Sequence, residues 1–237
     1  MIDSSSKFVV WGIVHRCSDD THVVLLENCL KSIREIYQWH HIIIVDSDSP
    51  KKDHLPSLCK KYRAEVADVI NTGYECGAWK IIYEQTRKQF QADFYCFIHD
   101  SCWLVRPLGE TLENDLAAYR CVPNTPERWY GAPTGLREAV IASLENTTWS
   151  IPDNFWTLVG QIFFAKPHIV SMLYENGFFD ILPTNKFEAQ CWERRLGICL
   201  CQKGHSDVLA QDSNQIGCWR NMRPLNHKMA KHWLNRQ

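Results

Sequence analysis

The sequence has no long apolar run and no excess of charge of either sign. Among 237 residues, Lys and Arg number 26 and Asp and Glu number 27, which leaves a formal net charge of −1. A broad nucleic-acid interface requires a clear excess of Lys and Arg, so this class of partner is excluded. The N-terminal region has only about seven apolar residues in a row, whereas a membrane-spanning helix needs about 20. We therefore expect neither a secretory signal nor a transmembrane segment.

Motifs built from cysteine pairs are also missing. The chain has 11 Cys, an odd number, and no two of them stand in a C-x-x-C spacing. The sequence therefore offers no zinc-ribbon or thioredoxin-type motif. Cys29, Cys59, Cys96 and Cys199 lie in apolar contexts, which is typical of buried free thiols in a reducing compartment. We expect a cytoplasmic protein.

Glycine-rich phosphate-binding turns are absent as well. The first apolar run continues as VVWGIVHRCS, which contains neither G-x-G-x-x-G nor G-x-x-x-x-G-K-[ST]. The dinucleotide-binding and P-loop classes are therefore excluded, and a methyltransferase would also need a Gly-rich turn at this point. Any nucleotide site in this chain has to be built mainly from side chains.

Apolar runs and helical periods alternate regularly over the first hundred residues. Strands are predicted at 7–15, 41–46, 65–73 and 93–99, and helices at 23–37, 54–64 and 79–90. Strand–helix units with such short connections predict an α/β fold, a Rossmann-type sandwich with a mostly parallel central sheet and helices on both faces. No linker interrupts the chain, so one domain spanning 1–237 is expected.

The second half of the sequence is less regular. A helix is predicted at 109–119, a strand at 156–165 and a long helix at 187–203. Between the last two, Pro167 opens a further helix that Gly177 ends.

Polar residues follow each of the first four predicted strands. In an open parallel sheet the carboxyl ends of the strands share one edge, and ligands bind there. Taken singly, each turn has an ordinary explanation, because Asp and Gly are common turn formers. Together they predict a ligand site at this edge. The four turns are His15-Arg16, Asp46-Ser47-Asp48, Asn71-Thr72-Gly73 and His99-Asp100-Ser101.

These segments resemble the nucleotide-sugar-dependent glycosyltransferases of the GT-A fold, family 2-like with a variant DxD segment. The resemblance covers residues 7–108 well and the remainder loosely. It implies a nucleotide-binding half of about 1–108 and an acceptor-binding half of about 109–237. It lies in the loop HRC (15–17), the acidic turn IIIVDSDSP, the turn NTGYECGAWK and the segment CFIHDSCWLVRPL.

The resemblance implies transfer of a sugar from a UDP- or GDP-type nucleoside-diphosphate sugar to a hydroxyl acceptor, with a glycan as the expected acceptor. The side chains after the first strands would hold the nucleotide, and the strand at 156–165 would lie near the donor sugar. The implied donor contacts are His15, Arg16, Asp46, Asn71, Gly73, Lys80, His99, Asp100, Gly160 and Gln161.

The DxD segment departs from the family pattern. One acid, Asp100, stands between His99 and Ser101 where the pattern has two Asp. Two alternatives stay open. Either Asp100 and His99 hold Mn²⁺ or Mg²⁺ together with the diphosphate, or Asp100 binds the ribose or sugar and no metal is needed. A metal ion would neutralise the leaving nucleoside diphosphate.

Glu193 is the candidate catalytic base if the transfer inverts the anomeric centre. On a helix it borders an apolar face that includes Trp192, and partial desolvation raises the pKa of a carboxyl. The family resemblance agrees, because such enzymes place an acid at the start of a late helix. The alternative is a surface ion pair with Arg194, and Asp153 and Asp180 are further candidates.

Two other segments have more than one interpretation. Trp129, Tyr130 and Trp149 could stack on sugar rings or belong to the core. The basic, aromatic tail from Cys218 could fold over the diphosphate, contact an anionic membrane surface, or remain solvated.

Two rival functions stay open. A sugar nucleotidyltransferase would carry a Gly-rich, Lys- or Arg-containing loop after the first strand, and VHRCSDDTH is not such a loop. A non-catalytic module that binds a nucleotide or glycan would explain the missing second Asp.

Overall fold

The structure, a computed structural model, describes residues 7–104, 106–129, 132–145, 147–204 and 216–217. Its strands are β1 (Val9–His15), β2 (His41–Asp46), β3 (Glu65–Val66), β4 (Phe94–His99), β5 (Trp103–Leu104), β6 (Leu116–Asn124), β7 (Phe155–Ala165) and β8 (Ile216–Gly217). Six of them form one sheet in the order β3-β2-β1-β4-β7-β6, and β5 pairs with β8.

Strands β3, β2, β1 and β4 run parallel to one another, while β7 pairs antiparallel with β4 and β6. The helices are α1 (Asp20–Ile36), α2 (Leu55–Tyr62), α3 (Tyr74–Thr86), α4 (Leu136–Leu144), α5 (Pro167–Glu175) and α6 (Lys186–Gln202). The predicted class is confirmed: a mixed α/β fold with a mostly parallel central sheet. Within the described ranges no helix is both long and apolar enough to cross a membrane.

The alternation of side chains along β1 divides the core into two layers. All seven residues of β1 are buried, as expected for a strand covered on both faces. Trp11 and Ile13 pack in the layer that contains the apolar residues of α1 and α2. Val10 and Val14 point to the opposite face, into the layer formed by α3, α4, α5 and α6.

The predicted helix at 109–119 is wrong. A single 3₁₀ turn covers Gly109–Leu112, and Leu116 begins β6, which pairs with β7 along its length. The local pattern is compatible with a helix, but pairing with β7 buries Leu116 and Ala118 in a strand. Helix α4, Leu136–Leu144, was not predicted at all.

His40, the residue before β2, is a buried titratable group whose protonation makes the stability of the fold depend on pH. Its ring is 7% exposed and stacks on Tyr37 with the ring centroids 4.2 Å apart. Its Nδ1 accepts a hydrogen bond from Trp11 Nε1 at 3.1 Å, so the neutral imidazole is the form that fits. Burial lowers the pKa of His40 from 6.5 to about 4, although a hydrogen bond to the backbone of Lys7 raises it.

We expect His40 to destabilise the fold in mild acid. Because its pKa is lower in the folded than in the unfolded chain, its contribution is complete above about pH 6.5 and is lost as the pH falls toward about 4. The expected loss of unfolding free energy is about 2 kcal/mol between about pH 7 and pH 4.5. Urea unfolding at these two values would measure it.

His40→Gln should remove this part of the pH dependence, because a neutral amide replaces the titrating ring. His41→Gln, at the neighbouring half-buried position, should keep it. A wild-type pH dependence in His40→Gln would contradict the prediction.

Candidate functional site

A cavity of about 420 Å³ opens at the carboxyl ends of β1, β2 and β4. This volume lies within the usual range for small-molecule sites. The loops after these strands, the segment before α3 and the segment before α6 form its walls. The lining residues are Val14, His15, Arg16, Ser18, His22, Ser47, Asp48, Asn71, Thr72, Tyr74, Glu75, His99, Asp100, Ser101 and Thr184.

Carboxylates and imidazoles form a row of neighbouring groups in and behind this cavity. Asp100 Oδ2 lies 2.8 Å from His15 Nδ1, and His15 Nε2 lies 3.0 Å from His54 Nε2. On the other side of Asp100, its Oδ1 lies 4.0 Å from His99 Nδ1. His99 Nε2 in turn lies 2.9 Å from Glu75 Oε1. Each acid therefore orients an imidazole.

The ionisation states of Glu75 and His54 follow from the contacts of these two side chains. Burial raises the pKa of the Glu75 carboxyl, but the hydrogen bond and charge of His99 lower it further, so the net shift is downward. Glu75 is therefore ionised at neutral pH and accepts a hydrogen bond from His99 Nε2–H. Burial and the nearby charge of His15 lower the pKa of His54, which favours its neutral ring.

Two cavity residues have strained backbones. Asp48 and Tyr74 adopt left-handed conformations with φ of 54° and 52°, which are unusual for residues with a Cβ. Such conformations cost about 1–3 kcal/mol each and concentrate at ligand sites. Asn71 holds this region together: its Nδ2 donates to Ser47 Oγ at 2.9 Å and to the Tyr74 carbonyl at 2.6 Å.

Five of the predicted donor contacts line the cavity together. His15 and Asn71 are buried in its wall, and Asp100 is 4% exposed. His99 is half-buried, whereas Arg16 is exposed at the rim and carries the positive charge of this group. The structure therefore brings together predicted contacts from three separate segments.

Asp46 is a predicted contact that does not line the cavity. It is buried, its Oδ2 accepts the Ser49 N–H at 3.2 Å, and Lys52 Nζ lies 2.9 Å from the same oxygen. Burial raises the pKa of Asp46, but its partners Ser49 and Lys52 lower it below its usual value. The next two residues, Ser47 and Asp48, line the cavity in its place.

Two further predicted contacts belong to α3 and do not line the cavity. Gly73 is the N-cap of α3, and a Cβ there would lie 3.1 Å from both Gly77 Cα and Leu182 Cβ. Gly73 therefore permits close packing of the helix start. Lys80 Nζ lies 4.0 Å from Glu84 Oε1, one turn along the helix.

Gly160 and Gln161 lie within β7. They precede Ile162, whose partner across the sheet is Ile98, the residue before His99. Their backbone therefore runs beside the carboxyl end of β4. Their role as donor contacts stays a prediction.

Glu193 lies on α6 and is not among the residues that line the cavity. Its side chain is 27% exposed, and its Oε2 lies 3.9 Å from Arg194 Nη1. Thr184, just before α6, does line the cavity. The role of Glu193 as a base stays a prediction.

The two aromatic candidates within the described residues, Trp149 and Trp129, pack in the core or against it. Trp149 is 4% exposed and packs in the core, and Trp129 packs edge-on against Phe155 with the ring centroids 5.1 Å apart. Tyr130 and the basic tail (218–237) lie outside the described residues.

Glu75 and Thr184 are among the polar groups at the cavity that sequence reasoning missed, whereas Ser101 stands in the predicted turn His99-Asp100-Ser101. Glu75 stands two residues after Gly73 in the turn NTGYECGAWK. Its closeness to this predicted contact is the signal that could have marked Glu75 as a cavity residue, in the first turn of α3. Ser101 Oγ is buried and has no hydrogen-bond partner among the described residues, which is unusual for a hydroxyl. No local signal marks Thr184.

No protein-family model matches the sequence, and no curated protein matches it. The solved structures that resemble the chain distantly include the following two. One is glucosyl-3-phosphoglycerate synthase from Mycobacterium tuberculosis in complex with Mn²⁺, uridine-diphosphate and glucosyl-3-phosphoglycerate, at 13% identity and a TM-score of 0.49, covering 88% of this chain and 70% of that one. The other is S. aureus TarS 1-349, at 16% identity and a TM-score of 0.49, covering 97% of this chain and 66% of that one. A likeness this distant defines neither a family nor an activity.

Proposed function

We propose that this protein transfers a sugar from a nucleoside-diphosphate sugar of UDP or GDP type to a hydroxyl acceptor, with a glycan as the expected acceptor. The cavity at the carboxyl ends of the parallel strands carries the proposal. It combines a cationic rim residue, Arg16, with three carboxylates, Asp48, Glu75 and Asp100, and several neutral hydrogen-bonding groups. A phosphorylated sugar donor needs this mixture, because its diphosphate is anionic while its ribose, base and sugar are neutral and polar.

The residues around Asp100 fit a hard divalent cation. Asp100, Glu75 and Ser101 supply oxygen atoms, which Mg²⁺ and Mn²⁺ prefer. The gap of 4.0 Å between Asp100 Oδ1 and His99 Nδ1 is wider than a hydrogen bond. Two ligands of one such ion, each at about 2.1 Å, lie about 3–4 Å apart. We infer that Asp100 and His99 would hold the ion with the diphosphate, where it would supply charge neutralisation of the leaving group.

The protein's own side chains fix the positions of these groups. His15 Nδ1–H donates to Asp100 Oδ2, which holds the carboxylate toward the cavity. Glu75 accepts from His99 Nε2–H, which presents Nδ1 on the side of Asp100. We propose Glu193 as the base that takes the proton of the acceptor hydroxyl, and Glu193→Gln should then lower transfer more than donor hydrolysis.

Nucleotide binding tests the proposal directly. The melting temperature of the full chain would be measured with UDP, GDP, CMP and dTDP compounds, each with and without Mn²⁺. A ligand at about 100 times its Kd stabilises by about 2.7 kcal/mol, which raises the melting temperature of a chain of this size by about 5 °C or more. We expect this rise with one nucleoside diphosphate and Mn²⁺ together. No rise with any nucleotide would overturn the proposal.

A non-catalytic binding module is the second candidate, because one acid stands where the family has two. Such a module would bind the same nucleotide but would release no nucleoside diphosphate from any sugar donor. A sugar nucleotidyltransferase would instead release pyrophosphate from a nucleoside triphosphate and a sugar phosphate. Assaying both products with one preparation separates the three functions.

A further inference from the structure

A second group of ligand-type side chains lies behind the cavity wall. A ring nitrogen of His15, a ring nitrogen of His54 and Cys17 Sγ all lie within 4.8 Å of one another. His15 and Cys17 have no exposed surface, and His54 is partly buried. These three residue types are the ligands that Zn²⁺ prefers, at about 2.0–2.1 Å for nitrogen and about 2.3 Å for sulfur.

The ligands come from two loops that are already tied together. His15 and Cys17 stand at the end of β1, and His54 stands at the start of α2. The Cys17 N–H donates to Ser49 Oγ at 2.7 Å, which connects the first loop to the second. The group is therefore held in place by its backbone as well as by its side chains.

The hydrogen bonds of His15 leave one of its ring nitrogens facing His54. The Asp100 carboxylate accepts from His15 Nδ1, so in the neutral form of the His15 ring Nε2 presents a lone pair toward His54 Nε2, 3.0 Å away. Two lone pairs at that distance repel, so a proton or a metal ion has to lie between the rings. A hydrogen bond donated by His54 is enough to explain the short distance between the two rings. Cys17 Sγ lies within 4.8 Å of a ring nitrogen of each histidine and donates a hydrogen bond to the Asp19 carbonyl at 3.3 Å, and a metal ion would replace this thiol hydrogen bond with a thiolate ligand.

The contact between Asp100 and His15 supports the same interpretation. Histidines that bind a metal with one nitrogen usually donate the other N–H to a carboxylate, which fixes the ring and strengthens the bond. His15 has this arrangement, since its Nδ1 is bonded to Asp100 at 2.8 Å and its Nε2 faces the group. Burial and the charge of Asp19 raise the pKa of the Cys17 thiol, so the thiolate would form as the ion binds and displaces the proton. Together with the Asp100 carboxylate it would then balance the two charges of Zn²⁺.

We propose that His15, His54 and Cys17 bind one zinc-type divalent ion, and that Asp100 positions His15 as a ligand. The site is separate from the Mn²⁺ or Mg²⁺ expected with the diphosphate, because nitrogen and thiolate ligands select softer ions. Bound there, the ion joins the loop after β1 to the start of α2. Through His15 it also fixes the carboxylate that faces the cavity.

Cobalt and zinc alone, without nucleotide, test this site independently of the proposed sugar transfer. The full chain would be stripped with a chelator and titrated with Co²⁺ and then Zn²⁺. We expect one Co²⁺ per chain, a near-ultraviolet thiolate-to-cobalt absorption band, visible bands of a four-coordinate ion, and displacement by Zn²⁺. Excess Mn²⁺ should not displace the Zn²⁺.

Three substitutions should weaken the site in graded ways. Cys17→Ser should abolish the thiolate band and lower zinc affinity at least about 100-fold, and His54→Ala should lower the affinity similarly. Asp100→Asn should keep the band and lower the affinity about 10- to 100-fold. Cys59→Ser, a half-buried cysteine of α2 outside the group, is the matched control and should bind as wild type.

The melting temperatures of the metal-free variants show whether each one folds. His54 is partly exposed, so His54→Ala remains informative even if Cys17→Ser does not fold. An unchanged thiolate band in Cys17→Ser, wild-type affinity in His54→Ala, or no stoichiometric binding of Co²⁺ and Zn²⁺ by the wild type would each overturn the proposal.

Discussion

Asp100→Asn is expected to lower sugar transfer at least about 100-fold while leaving the fold intact, since removing one buried group that stabilises developing charge has this effect in other enzymes. Asp100 is 4% exposed, follows β4 and lies between two imidazoles, His15 at 2.8 Å and His99 at 4.0 Å. Asparagine keeps the shape and the oxygen that accepts from His15 Nδ1–H. It removes the negative charge that a cation or a donor hydroxyl would meet and that also positions His15 in the proposed zinc site.

The measurement is the rate of nucleoside diphosphate release from the donor that wild type accepts, with saturating Mn²⁺. Asp53→Asn is the matched control, because Asp53 is an exposed acid on the loop between β2 and α2 and does not line the cavity. It should turn over as wild type does. If Asp100→Asn retains full activity, the reacting centre lies elsewhere in the molecule.

The parallel strands β1, β2 and β4 were predictable because they are buried on both faces. The predicted strand at 65–73 is wrong in length, since β3 covers only Glu65–Val66 and both residues are half-buried. β2 begins and ends at the residues expected, His41 and Asp46, because its run of β-branched residues has no helical period. The antiparallel part was not predictable. β6 carries Ala117, Ala118 and Pro123, residues of low strand propensity, and becomes a strand by pairing with β7.

Only the part of the site at the carboxyl ends of the parallel strands was predictable. Polar residues at the carboxyl ends of parallel strands placed His15, His99 and Asp100 at one edge, and the structure brings them to one cavity. Glu75 was missed because α3 begins at Tyr74, in a left-handed conformation, five residues before the expected start. A sequence does not show which non-glycine residue will adopt a positive φ.

His54 was missed for a different reason. It contacts His15 across 39 residues of sequence, through the relative placement of two loops. No periodicity reports such a contact, because it depends on how β1 and β2 pair and on where α2 begins. Long-range pairs of this kind decide which of ten histidines are ligands.

Gly197→Ala is expected to destabilise the protein by about 3 kcal/mol. Gly197 lies in the middle of α6, where the helix crosses β7. A Cβ at this position would lie 1.7 Å from the backbone oxygen of Trp156, with the carbonyl carbon at 2.9 Å. No side-chain rotation can relieve this overlap, because both atoms that collide with the Cβ belong to the backbone of a strand.

Two effects of opposite sign compete at Gly197. Alanine is favoured over glycine inside a helix by about 1 kcal/mol, so helix propensity alone predicts a more stable protein. The collision is larger, because α6 would have to move away from β7 and lose part of the packing of Trp192 and Leu196, both 1% exposed. Urea unfolding at neutral pH distinguishes the two. Lys186→Ala, at the exposed start of α6, should unfold like wild type, whereas equal or greater stability of Gly197→Ala would show that the helix does not lie this close to the strand.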